Sequence, residues 1–164
     1  MYTKPRCVVD MTRFDAAIDL NMSNKTLYKY EIGEAIPPPE AVYAMSEVYR
    51  DPFLAAQHCS EVCPIGQVYA YPVVKKDLAM AALDFIKEYK DISPDLLDKL
   101  VTIARDNKIS EEEREMFLLI LAEMADVARV VQEIKLLAVN ILCEGKEKTA
   151  LSAVQYRNLR PITT

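Results

Sequence analysis

The tightest constraint on the fold is a set of helix start and stop signals between residues 12 and 33. Thr12, with Asp15 three positions later, has the form of a capping box in which a hydroxyl accepts from an orphan backbone N–H. Ala16, Ala17 and Leu20 fall on one side of the helix that follows, which ends near Asp19. Asn21 comes next, a residue that tolerates the left-handed backbone of a tight turn. Ser23 caps a second helix over 24–32, and Gly33 ends it. Two short helices joined by so few residues must pack as a corner, the helix-turn-helix geometry.

The rest of the chain extends the helical reading. After the run Pro37, Pro38, Pro39, a helix over 40–49 buries Val42, Met45, Val48 and Tyr49. Asp51 and Pro52 then open a short helix reaching His58. Residues 67–72 have the look of a linker, with Tyr69 and Tyr71 on a surface. From 73 to 89, Leu78, Ala82, Phe85, Ile86 and Tyr89 recur at helical spacing. Ser93 and Pro94 start a helix to Arg105 with Leu97, Leu100, Val101 and Ala104 inward. The turn at Asp106, Asn107 and Lys108 lacks the ligand spacing and glycine of a calcium loop.

Ser110 and Glu113 form a second capping box, opening a long helix over 111–143. Along it Ile120, Met124, Val127, Val131, Ile134, Ala138 and Ile141 step by fours and threes, an a/d seam. A second apolar row, Phe117, Leu121, Ala128, Val130 and Leu137, runs beside it. One stripe suffices for packing within the chain, so the second points to a partner. The expected dimer interface is Ile120, Met124, Val127, Val131 and Ile134.

These elements define an all-α protein with an N-terminal helix-turn-helix domain over 1–66 and a linker over 67–72. A C-terminal helical hairpin or bundle with one long helix follows over 73–143, and a tail over 144–164. Composition agrees: 51% of the 164 residues are hydrophobic, Trp is absent and only 3 are Gly. The tail carries Lys146, Lys148, Arg157 and Arg160 against two carboxylates.

The pattern Thr12-Arg13, Ala17, Leu20, Met22-Ser23, Thr26-Leu27, Tyr30-Glu31, Gly33 and Pro37 resembles, without a gap, the XRE/Cro-repressor helix-turn-helix family, the lambda-repressor-like DNA-binding domain. The likeness covers about 11–50. It implies that 24–31 is a recognition helix lying in the major groove, with the preceding helix across the backbone. It assigns DNA contacts to Arg13, Ser23, Asn24, Lys25, Tyr28 and Lys29. Asn can pair with adenine, Lys can donate to guanine acceptors, and Tyr and Ser can donate to phosphates. The chain departs from the family before Thr12, where eleven residues including Pro5 leave room only for a short or irregular first helix. Phe14 and Ile18 also occupy places that are normally polar.

Charge runs against a broad nucleic-acid surface. The net charge is −5, and residues 1–50 hold six basic against seven acidic side chains. Phosphate contact must therefore come from a local patch and from pairing of copies. The expected function is a sequence-specific transcriptional regulator of bacterial or phage type, bound to double-stranded DNA as a homodimer. One alternative is a degenerate helix-turn-helix that serves as a protein-interaction module. The other is a metal- or redox-responsive regulator using His58, Cys59 and Cys63, with Cys7 as a fourth zinc ligand.

An enzyme is not expected, because there is a single His, no nucleophile and base stand in a recognisable catalytic arrangement, and no Gly-rich phosphate loop is present. The apolar stretch 116–142 is broken by Glu123, Asp126, Arg129, Glu133 and Lys135, unlike a membrane span. With no secretory signal, the expectation is a cytoplasmic chain whose four cysteines are reduced.

Overall fold

The computed structural model describes residues 1–106 and 108–143, so Asn107 and the tail 144–164 lie outside the described residues, as do the side chains of Leu142 and Cys143. Every regular element among the described residues is helical: α1 (Thr3–Val8), α2 (Arg13–Asp19), α3 (Asn24–Ile32), α4 (Pro39–Val48), α5 (Pro52–Glu61), α6 (Gly66–Tyr69), α7 (Leu78–Asp91), α8 (Pro94–Ile103) and α9 (Arg114–Cys143), with a 3₁₀ turn at Ala104–Asp106. None of these helices is long and apolar enough to cross a membrane.

Local chemistry sets most of the ends. Thr12 accepts from the Asp15 amide at 3.2 Å and Ser23 from the Thr26 amide at 3.0 Å. Between them Asn21 takes a φ of 50°, letting the Met22 amide return to the Ala17 carbonyl at 2.9 Å. Gly33, at φ 80°, closes α3 in the left-handed region where a Cβ would be strained. Asp51 caps α5 ahead of Pro52, and Ser93 caps α8 ahead of Pro94. The Ser110–Glu113 box also forms, but α9 begins only at Arg114 because 111–113 make a turn.

The chain divides into two compact units. The first comprises Met1–Pro72 together with the chain from Leu136, and the second is Val73–Lys135. The first unit thus includes 67–72, of which 67–69 belong to α6 and 70–72 are not helical. It also contains the helix expected to be short: α1 is a single six-residue piece whose Pro5 and Arg6 are buried. The core of this unit gathers Tyr2, Ala16, Ala17, Leu20, Leu27, Val42, Met45, Tyr49 and Leu54. α2 packs on α3, and α4 on α5. Small Ala16 and Ala17, nearly free of solvent, let α2 approach its neighbours closely.

In the second unit the apolar faces differ from the sequence expectation. On α8 the inward side chains are Leu96, Leu100 and Ile103, packed with Ile120, Met116 and Phe117, while Leu97, Val101 and Ala104 are exposed. The two stripes differ by a rotation of one residue. Periodicity alone leaves both open, and the contact with Ile120 selects the first.

Two substitutions probe the first core. Leu27 is fully buried, and Leu27→Ala should destabilise the protein by about 2–5 kcal/mol. Tyr49 is buried to the same degree, but its hydroxyl has no hydrogen-bond partner among the described residues. Burial, then the nearby Glu31 charge, push that hydroxyl up to about 12 despite the opposing pull of Arg6. Tyr49→Phe removes an unsatisfied group, so its thermal midpoint should be equal to or above that of the parent. A clear fall would mean that the hydroxyl has a partner.

Candidate nucleic-acid interface

α3 carries Leu27 and Glu31 four residues apart, so both lie on the face turned towards the rest of the unit. Leu27 enters the core. The Glu31 side chain, only 1% exposed, meets two arginines instead. Arg6 of α1 donates from Nε at 2.5 Å, and Arg13 of α2 donates from Nε at 2.7 Å. Arg6 also donates from Nη1 to the Met11 carbonyl at 2.7 Å. One carboxylate therefore joins three helices. Burial alone would raise the Glu31 pKa, but the hydrogen bonds from Arg6 and Arg13 outweigh it and hold the group below its ordinary value.

This cluster decides what the outer face of α2 and α3 can offer. Arg13, expected on DNA, is turned towards Glu31, with its guanidinium carbon 4.8 Å from the Tyr28 ring centre. Tyr28 itself remains 44% exposed. Lys29 pairs with Glu34 at 2.8 Å across an exposed surface, a contact worth little in water. The Ser23 hydroxyl is engaged in the cap and with the Thr26 hydroxyl at 2.7 Å.

Asn24 and Lys25, in the first turn of α3, are exposed and have no side-chain partner among the described residues. Asp15 and Asp19 on α2 are exposed as well, so the surrounding surface is mixed in sign. An amide and an ammonium on one helical turn can donate to base edges or phosphates, and the positive end of the helix dipole adds to that preference. Arg6 was not singled out from sequence, and Glu31 entered only through the family pattern. The available signal was the place of Glu31 one turn after Leu27 on a buried face.

His58 is 2% exposed, and its Nδ1 lies 2.9 Å from the Tyr2 hydroxyl, so this bond ties α5 to the chain's amino terminus. Cys7 and Cys59 are exposed and Cys63 is half-buried. Among the described residues no three His, Cys, Asp or Glu side chains form a group that could hold a metal ion. Partial burial, then the neighbouring Cys63, push the Cys59 thiol up, away from a reactive thiolate.

The seam expected to pair copies spans buried, half-buried and exposed positions. Ile120 is fully buried against Leu96 and Ile103 of its own chain. Val127, Val131 and Ile134 are half-buried, and Met124 is 43% exposed. Val130 and Leu137, from the second row, are buried. Phe14 and Ile18 are exposed on α2, at 63% and 62%.

Two tests follow. Glu31→Ala leaves Arg6 without its counter-charge and should destabilise the fold by about 3–5 kcal/mol. On pH, burial lowers the His58 pKa, so the unfolded chain takes up its proton first. Stability should fall as pH drops below about 6.5, the ordinary His value. Glu31, with its pKa lowered, contributes above about pH 4.3 and loses that contribution only as pH falls through its depressed folded value. Thermal midpoints across pH should show both declines, and His58→Gln should remove only the upper one. No family model matches the chain, and neither does a curated protein or a solved structure.

Proposed function

We propose that the chain is a sequence-specific DNA-binding regulator of the XRE/Cro-repressor type, with α2 and α3 as its helix-turn-helix and α3 as the recognition helix, working as paired copies. The observation that carries this reading is the exposed first turn of α3. Asn24 and Lys25 stand there without side-chain partners among the described residues, on a helix anchored from behind by Leu27 and Glu31. A recognition helix needs both properties, because base readout demands free donors on an element that does not move. Tyr28 and Lys29 would contribute to phosphate contact, Lys29 on release of its surface partner Glu34, while Arg13 stays on the buried Glu31 and Ser23 keeps its cap. The sparse positive charge gives one such surface low affinity, and two copies on one duplex would raise it through avidity.

A second reading rests on Phe14 and Ile18, four residues apart and both exposed on α2. On it, the same helix pair docks a protein and makes no DNA contact.

Fluorescence titration of the full chain with DNA fragments selected from random sequence separates the two readings. On the first, Lys25→Ala weakens binding about tenfold and lowers the salt slope of affinity by roughly one. Asn24→Ala should relax preference at one base position, and Lys99→Ala, on α8, should change nothing. Absence of salt-dependent DNA affinity at low ionic strength would leave the protein-docking reading in its place.

A further inference from the structure

The second unit begins at Val73 and ends at Lys135, and its entry and exit meet at one side chain. Glu133 stands two residues before the exit and is fully buried. Its Oε1 accepts from the Val74 amide at 2.9 Å, one residue after the entry. Its Oε2 forms an ion pair with Lys76 Nζ at 2.8 Å, and Arg129, one turn earlier on α9, donates from Nη1 to Oε1 at 3.3 Å. Lys76 also meets Asp84 of α7 at 2.6 Å, and Arg129 lies 4.0 Å from Glu88. Residues 71–77 are not helical, so the Val74 amide has no helical ladder to join and finds its partner 59 residues away.

The unit's apolar cluster lies away from this point. Leu96 and Ile103 of α8 pack on Ile120, which is about 20 Å from Glu133 along α9. Among the described residues, the other buried apolar side chains of the unit are Val73, Ala81 and Val130, all of modest size. The entry is therefore fastened to the exit chiefly by charge. A carboxylate without solvent contact has no water ready to replace a lost donor, so its bonds hold together or break together as the site opens. Joining positions so far apart in sequence also removes more chain freedom than any bond within one helix.

We propose that Glu133 is a latch. It closes the second unit end to end, and its release lets that unit open as one piece while the first unit stays folded. A chain built this way can change the state of one unit without disturbing the core of Leu27, Met45 and Tyr49 in the other. The latch concerns the second unit and does not rest on the DNA reading.

Amide hydrogen exchange of the full chain, followed residue by residue by NMR under native conditions, tests this. The Val74 amide should exchange about a hundredfold slower than a free amide, although it lies outside any helix. It should share one rate with Ala81 and Val130, and that rate should exceed those of Leu20 and Tyr49 in the first unit about tenfold or more. Glu133→Gln keeps the size of the side chain and its acceptor but loses the ion pairs. It should speed Val74, Ala81 and Val130 together about tenfold or more, and leave Leu20 and Tyr49 unchanged. Lys76→Met removes the same ion pair from the other side and should speed the same three.

Val74 exchanging at the free rate would overturn the proposal. So would a single rate shared by Val74 and Tyr49, since the chain then opens only as a whole. Acceleration in Glu133→Gln of Val74 alone, or of none of the three, would reduce the contact to a local tie and overturn it too. Should that variant lose helix, loss confined to the second unit supports the latch, and loss that reaches Leu20 and Tyr49 overturns it. With DNA absent from the measurement, failure here leaves the DNA reading standing, and an inert Lys25→Ala leaves this one standing.

Discussion

Glu31 is the point on which the amino-terminal unit turns. Removing a carboxylate from water costs several kcal/mol, and only close, well-directed donors offset that. Arg6 and Arg13 supply them from α1 and α2, at 2.5 Å and 2.7 Å. The geometry is demanding, because both guanidinium groups must reach one side chain that is 1% exposed. It therefore fixes the angle at which α2 meets α3 more sharply than apolar contact alone, which tolerates sliding. A first helix of six residues is too short to hold itself. Arg6, buried and bonded to Glu31, anchors it instead, along with Tyr2 through His58.

That arrangement has a consequence for charge. A chain with net charge −5 has few cations to offer a polyanion, and the cluster engages Arg6 and Arg13, two of the six basic side chains in residues 1–50. What remains on α3 is concentrated in its first turn, where Asn24 and Lys25 project. Affinity for a duplex on such a surface would be modest, strongly salt-dependent and improved by pairing two copies. Rigidity behind the surface and scarcity of charge upon it have the same origin, since Arg13 serves the first at the expense of the second.

The second unit sets a buried charge cluster beside its small apolar core of Leu96, Ile103 and Ile120. Glu133, fully buried, gathers Lys76, Arg129 and the Val74 amide, while leucine, isoleucine and tyrosine side chains of α7 face outward. Buried ion pairs give little net stability compared with apolar packing, but they specify orientation, since breaking one leaves a stranded charge. Charge and the Leu96–Ile103–Ile120 core together orient the helices of this unit.

Residue order by itself determined many of the helix ends, though not the starts of α7 and α9. Thr12, Ser23, Asp51, Ser93 and the Ser110–Glu113 pair cap where their side chains reach a backbone N–H a few positions away, and Asn21 and Gly33 turn where their backbones permit. Such interactions are local, so neighbours in the sequence are enough to reveal them. The directions the helices face were decided only by tertiary structure. On α8, α7 and α9 more than one stripe is apolar, and which one turns inward depends on partners far away in sequence. Ile120 selects Leu96, Leu100 and Ile103, and Glu133 with Arg129 draws the acidic side of α7 inward. Arg13 belongs to the same class, because its partner Glu31 is 18 residues away and nothing nearer marks it. A long side chain has many possible partners, and the fold chooses among them.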